Sequence, residues 1–211
     1  MASNNVILYK NFDASLLECG PLTKNKAGGN QAPLLYHGKH RIILQTPKMS
    51  MPFGVSEYVT ETGPIKYSLD ASFKENESFM ETVRAIDARM IDLAVENSKD
   101  WFGKTMSREV VEELYRPLLK ESKQPDKYAP TIKFKIRSTD TDLKVEAFHN
   151  RSREVFDMSE FQAGSVARCI VDFAPVWFVN KQFGVTMNLV QIAIASVPAG
   201  KLQGFAFQSD D

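Results

Sequence analysis

The sequence predicts an α+β chain: a mostly antiparallel β-barrel with helices inserted between its strands. Three observations predict it. Short runs alternate between apolar and polar residues, most cleanly at Ile132, Phe134 and Ile136 against Thr131, Lys133, Lys135 and Arg137. One longer run, Phe79, Val83, Ile86, Met90 and Leu93, instead recurs at helical spacing. The order is strands, then helices, then strands again, which separates the helices from a sheet built largely by hairpins.

Taken in order, residues 1–35 read as an irregular arm, in which Val6 to Tyr9 can pair as a short strand while Lys24 to Pro33 is rich in Gly, Asn and Pro. A barrel domain is expected over residues 36–200, with its helical insertion at about 76–120 and a C-terminal tail at 201–211. Its first core strand is Arg41 to Thr46, after a turn at His37–His40, and Pro47 and Pro52 punctuate the loop that follows. Ile65 to Phe73 alternates as a second strand. Ser78 and Glu81 have the spacing of a capping box, so a helix is expected to start there and to bury Phe79, Val83, Ile86 and Met90 against the barrel. A second helix starts at Ser107 and is disturbed by Pro117. Strands then follow at 131–137, 143–148 and 165–173. Last comes a hairpin from Val176, through a turn at Asn180–Lys181, into Phe183–Ile194.

Composition narrows the function. The 26 basic and 26 acidic residues cancel, so no global field draws the chain to a polyanion. The charge is uneven, however: residues 51–100 hold five basic against ten acidic side chains, and 101–150 hold ten against eight. A cationic surface can therefore stand beside an acidic helix. Cys19 and Cys169 lie far apart in no metal-like spacing, which suits a reduced compartment, and Cys169 sits in an apolar run as an inert thiol. No apolar signal core and no stretch of about eighteen apolar residues occurs, so a soluble, intracellular protein with no membrane partner is expected.

Catalytic patterns are absent from the sequence. It has no Gly-rich phosphate loop, no paired-histidine metal motif and no nucleophile elbow, and His37, His40 and His149 are scattered. Neither enzymatic activity, cofactor nor metal is expected. Binding patterns are stronger. The Thr131–Arg137 run sets Lys133, Lys135 and Arg137 on the open face of a half-buried strand, where cations are either solvated or lie along phosphates. The hairpin places Trp177, Phe178 and Phe183 beside Lys181, and alternation turns Trp177 and Phe178 to opposite faces. Bases stack on an exposed ring for about 1–3 kcal/mol each while cations follow the backbone. Trp177 and Phe183 are the candidate stacking residues. Lys66, Lys144 and Lys181 are further phosphate candidates, and Tyr36, Lys39 and Arg41 extend that surface.

A run of blocks in fixed order adds to this reading. Trp101-Phe102-Gly103-Lys104-Thr105-Met106-Ser107 continues through Arg116-Pro117 and is followed by Lys127-Tyr128-Ala129-Pro130-Thr131-Ile132-Lys133. Gln45-Thr46-Pro47 with Pro52-Phe53-Gly54, Lys66-Tyr67-Ser68-Leu69, and Trp177 through Thr186 agree with it. These blocks resemble a single-stranded DNA-binding protein family of nucleo-cytoplasmic large DNA viruses, over roughly residues 40–207. That family is in turn similar to the replicative single-stranded DNA-binding proteins of short-tailed coliphages. The resemblance implies an OB-type barrel with a helical insertion, single-stranded DNA as partner, and a role in viral DNA replication, recombination or repair. It places the protein at replication sites in the host cytoplasm or nucleus. A homodimer is expected, as is a partner-binding tail for replication proteins. The tail candidates here are Phe205, Phe207, Asp210 and Asp211, with the aromatics preceding two acids where the phage proteins have a long acidic tail closed by an aromatic.

The competing class is a structural or assembly protein, a virion component or dimerisation module that kept the barrel and lost DNA. It predicts a flat apolar patch at the aromatic and basic positions, whereas a nucleic-acid binder predicts an open groove.

Overall fold

The computed structural model describes residues 6–60, 63–139 and 143–199, without the side chains of residues 39, 40, 60 and 63. The first 36 residues carry β1 (Val6–Leu8), β2 (Leu17–Cys19), β3 (Thr23–Lys24), β4 (Asn30–Ala32) and β5 (Leu34–Tyr36). β6 (Lys39–His40), β7 (Ile43–Gln45), β8 (Met49–Met51), β9 (Val55–Thr60) and β10 (Gly63–Ser72) follow. The helices are α1 (Glu77–Glu96), α2 (Ser98–Phe102) and α3 (Arg108–Leu114). Short strands β11 (Tyr115–Arg116) and β12 (Leu119–Lys120) lead to β13 (Thr131–Ile136), β14 (Glu146–His149) and β15 (Ser165–Phe173). β16 (Val176–Val179), β17 (Gln182–Gly184) and β18 (Met187–Ser196) complete the order.

Five of these strands close a ring: β8 pairs β10, β10 pairs β13, β13 pairs β18, β18 pairs β15 and β15 returns to β8. All of these pairs are antiparallel except β13–β18. A five-stranded Greek-key barrel with this pattern is an OB fold, and the helices are inserted between β10 and β13. β7 and β8 act as one strand bent at Pro47, since both pair with β15. At the bend the Thr46 hydroxyl accepts the Cys169 N–H at 3.0 Å, satisfying a donor that proline interrupts in the ladder.

Parity along β13 is as the sequence implies. Ile132, Phe134 and Ile136 are buried in the barrel, and Lys133 and Lys135 face outward. α1 flanks one end of the barrel. Phe79, Val83, Ile86 and Met90 are all fully buried, and the Phe79 ring lies 5.6 Å from Phe73, just past the end of β10. Each such side chain contributes about 1.5–3 kcal/mol of burial, offsetting the entropy cost of ordering the insertion.

Three local expectations are corrected. The capping box does not form, because α1 begins at Glu77 with Asn76 as N-cap, and Ser78 lies inside the first turn with its carbonyl accepting from Thr82. The Asn76 side chain donates to the Lys48 carbonyl at 3.0 Å, tying the helix start to the β7–β8 bend. Residues 6–36 are not an irregular arm. β1 runs parallel to β7, β2 pairs β5, and β4 pairs β16 of the aromatic hairpin. The third correction is β8, a barrel strand inside the Pro47–Pro52 stretch where a loop was expected; beyond it β9 forms a hairpin with β10.

Candidate nucleic-acid interface

The outward face of the barrel is set by cross-strand register. On β10 and β13, Asp70 stands opposite Lys133 and Ser68 opposite Lys135; Lys135 in turn faces Asn188 on β18, and Asn188 faces Asp172 on β15. On the β9 side, Lys66 stands opposite Tyr58. One polar row therefore runs across four strands, with the β9–β10 hairpin at one margin.

Two grooves meet on this face. The first, about 490 Å³, is lined by Tyr58, Lys66, Lys133 and Lys135 with Pro64, Tyr67, Ser68 and Ser138. The second, about 590 Å³, is lined by Lys135, Trp177, Gln31, Gln182, Thr186 and Asn188. Lys135 belongs to both. It is exposed, but its ammonium is crowded by the groove walls. That desolvation, and then the charge of Lys66, hold its pKa below the ordinary lysine value.

Trp177 is half-buried and lies across β17. A Cβ on Gly184, its cross-strand partner, would stand 2.7 Å from the indole Cζ2. Only glycine lets the ring lie flat there. Tyr58, 64 % exposed, is a ring that sequence reading missed. Its signal was present in Val55-Ser56-Glu57-Tyr58-Val59-Thr60, a β-prone run followed in the sequence by Thr62-Gly63-Pro64.

Phe183 is not a stacking residue. The two-residue turn has positive φ at both Asn180 and Lys181 (50° and 65°), so Val179 faces Gln182 and Phe178 faces Phe183. Opposed residues share a face, which puts Phe183 with Phe178 and away from Trp177. Phe183 is fully buried, packed against Trp101, Phe102 and Tyr115. The turn identity in the sequence already contained this parity.

Two carboxylates lie beneath the cations. Asp70 Oδ2 is 3.5 Å from Lys133 Nζ, and its buried Oδ1, which accepts no hydrogen bond among the described residues, is 4.0 Å from Lys120 Nζ. Asp172 sits between Arg41 at 3.6 Å and Arg137 at 3.7 Å, and both guanidinium side chains stay more than half exposed. Lys144 is exposed beside Arg137, whose carbonyl accepts its N–H, and Lys181 stands exposed at the hairpin turn. Tyr36 is taken up elsewhere: its ring stacks on Phe12 and its hydroxyl accepts the Asp13 N–H. The Lys39 side chain and the tail residues Phe205, Phe207, Asp210 and Asp211 lie outside the described residues.

Below the helical insertion, Asp87 is buried and accepts from the Tyr115 hydroxyl (2.6 Å) and the Leu118 and Leu119 N–H groups (2.9 and 3.1 Å). Burial pushes its carboxyl above the usual aspartate value in spite of these donors, and raises the Tyr115 phenol strongly as well. This carboxylate is structural. It joins α1 to the segment that leads into β13. Cys169 is buried as expected, and burial raises its thiol pKa, while that of the partly buried Cys19 is raised to about 12. Among the described residues no group of three or more metal-ligating side chains converges, and no helix is long and apolar enough to cross a membrane.

Fold and site together define a small OB barrel whose open face is a cationic groove with an aromatic ring toward each margin. Residues 68–207 match a family described as a family of unknown function (DUF5871), and the chain belongs to that family. No curated protein matches it. Among solved structures, it is similar to the single-stranded DNA-binding protein from bacteriophage Enc34 in complex with ssDNA. The TM-score is 0.44 at 15 % identity, over 89 % of this chain and 99 % of that one. It is also similar to gp2.5, a single-stranded DNA-binding protein encoded by bacteriophage T7, with TM-score 0.46 at 12 % identity, over 80 % of this chain and 100 % of that one.

Proposed function

We propose that this chain is a non-enzymatic, sequence-tolerant single-stranded DNA-binding protein acting in viral DNA replication, recombination or repair. The observation that carries the binding reading is the position of Lys135, at the junction of a groove holding Trp177 and a groove holding Tyr58, Lys66 and Lys133. In this reading Lys66, Lys133 and Lys135 contact phosphates, and Arg137, Lys144 and Lys181 extend the path. Trp177 stacks a base, as does Tyr58 at the opposite margin. A single strand suits this face better than a duplex, because among the described residues no basic helix is presented for a major groove, and α1 carries five acidic against two basic side chains.

The viral and replicative setting rests on the resemblance of the ordered sequence blocks. Homodimerisation, and recruitment of replication proteins through residues 201–211, belong to the same reading. The assembly role calls for a flat apolar patch at Trp177. The indole instead lines a concavity with Lys135, Gln31 and Asn188, which favours nucleic acid.

Fluorescence anisotropy with labelled single-stranded and duplex oligonucleotides at two salt concentrations tests the proposal. Tighter binding of single strands, weakened by salt, is expected. Equal affinity for both forms, or no binding at low salt, would overturn it.

A further inference from the structure

A second cleft, of about 510 Å³, opens on the other side of the β16–β17 hairpin, between it and the helical insertion. The hairpin shows a different aromatic to each side: Trp177 to the barrel groove and Phe178 to this cleft, where Phe178 meets Trp101 at 5.1 Å and Phe102 at 6.0 Å. Phe178 is only half-buried, and Val110 and Val179 at the cleft margin are 43 % and 56 % exposed. An apolar wall is therefore left open beside the hairpin.

Two observations indicate what occupies it. Val179, Asn180 and Gln182 line both this cleft and the Trp177 groove, so the two are continuous around the hairpin tip. The cleft rim also carries Lys104 and Lys181, with the Asn180 and Gln182 amides beside them. Aromatic faces, amides and paired cations are the donor set for a base and its flanking phosphates.

We propose that the cleft is a nucleobase subsite. A single strand lying in the barrel groove turns over the hairpin tip past Lys181 and sets a base against Phe178. The inference rests on the proposed single-strand binding and extends its path by one site. A short strand fills the barrel groove alone; a longer one reaches the cleft.

The chain has two tryptophans, one on each side of the hairpin. The Trp177→Phe variant leaves Trp101, in the cleft wall, as the sole indole reporter. Its emission is followed during titration with oligothymidylates of about four and about sixteen nucleotides, the range one such barrel covers, with anisotropy recording occupancy in parallel. The expected result is a change in Trp101 emission with the longer strand only. A second variant, Lys104→Glu, on an exposed loop, should weaken the longer strand about threefold to tenfold through the lost phosphate contact and leave the short one unchanged.

Silent Trp101 emission at full occupancy by the longer strand, or equal effects of Lys104→Glu on both lengths, overturns the subsite while leaving the barrel groove intact. A Trp101 response to a peptide of residues 201–211 but not to DNA assigns the cleft to a protein segment and also overturns it. Absence of any oligonucleotide binding overturns both this inference and the proposed function.

Discussion

The indole of Trp177 lies so close over Gly184 that a Cβ on the glycine would stand 2.7 Å from Cζ2, and 3.1 Å from the Arg116 carbonyl oxygen. The glycine therefore sets the tilt of the ring offered to the groove. Gly184→Ala should displace the indole and weaken single-strand binding about tenfold, comparable to losing one stacked base. It should also cost about 1–3 kcal/mol of stability through overpacking. Trp177 emission with anisotropy, both read well below the unfolding midpoint, checks this. Unchanged affinity would remove Trp177 from the binding face.

Salt dependence counts the phosphates. Three to five contacts give a log–log slope of about −2 to −3.5 on single strands. Replacing Lys133 and Lys135 together by Ala should flatten that slope by about one unit or more, read well below the variant's unfolding midpoint because Asp70 loses its 3.5 Å partner. A slope that does not move would place the strand elsewhere on the barrel.

On the proposed path, Asp70 would compete with a single strand for the cations it holds. Asp70→Asn keeps the shape but removes the charge 3.5 Å from Lys133 and 4.0 Å from Lys120. Affinity at low salt should rise about threefold to tenfold and the salt slope steepen, as both ammoniums become free to release counterions. Anisotropy across a salt series reads both, and weaker binding would show that the carboxylate positions Lys133 instead.

Lys135 should make binding sensitive to alkaline pH. Crowding and Lys66 lower its pKa in the free protein, and a phosphate favours the charged form. Affinity is then full below the lowered pKa and falls as pH rises through it, before the ordinary lysine range is reached. Lys135→Arg, which stays charged, should flatten that fall. Coincident pH profiles for the two proteins would argue against a phosphate at Lys135.

Asp87 ties the insertion to the barrel, and Asp87→Ala should cost about 3 kcal/mol by leaving three buried donors unpaired, read from denaturant midpoints. Its pH signature has the opposite sign to that of a salt-bridged aspartate. The folded pKa is raised, so the folded state binds the proton more tightly. Stability relative to Asp87→Asn should rise as pH falls through the raised pKa and level off below the ordinary aspartate value. A relative loss of stability over that window would show a lowered carboxyl instead.

What the sequence determined by itself is local. A strand period of two is enough to send Ile132, Phe134 and Ile136 inward and Lys133 and Lys135 outward, and a helical period is enough to bury Phe79, Val83, Ile86 and Met90, because burial of one face selects each pattern. The parity that buries Phe183 with Phe178 was legible too, once the Asn180–Lys181 turn was used to count across the hairpin. Tertiary structure alone decided which distant residues share the site. Lys135 meets Trp177 and Tyr58 because β13, the β16–β17 hairpin and the β9–β10 hairpin are arranged around one barrel face, and no periodicity within a strand states its neighbour or its register. The same holds for Asp70 beneath Lys133 and Asp172 between two arginines: each pair is far apart in sequence and a few ångströms apart in space. Register across closed strands, a non-local property paid for by the barrel core, converted a neutral chain into one with a cationic groove.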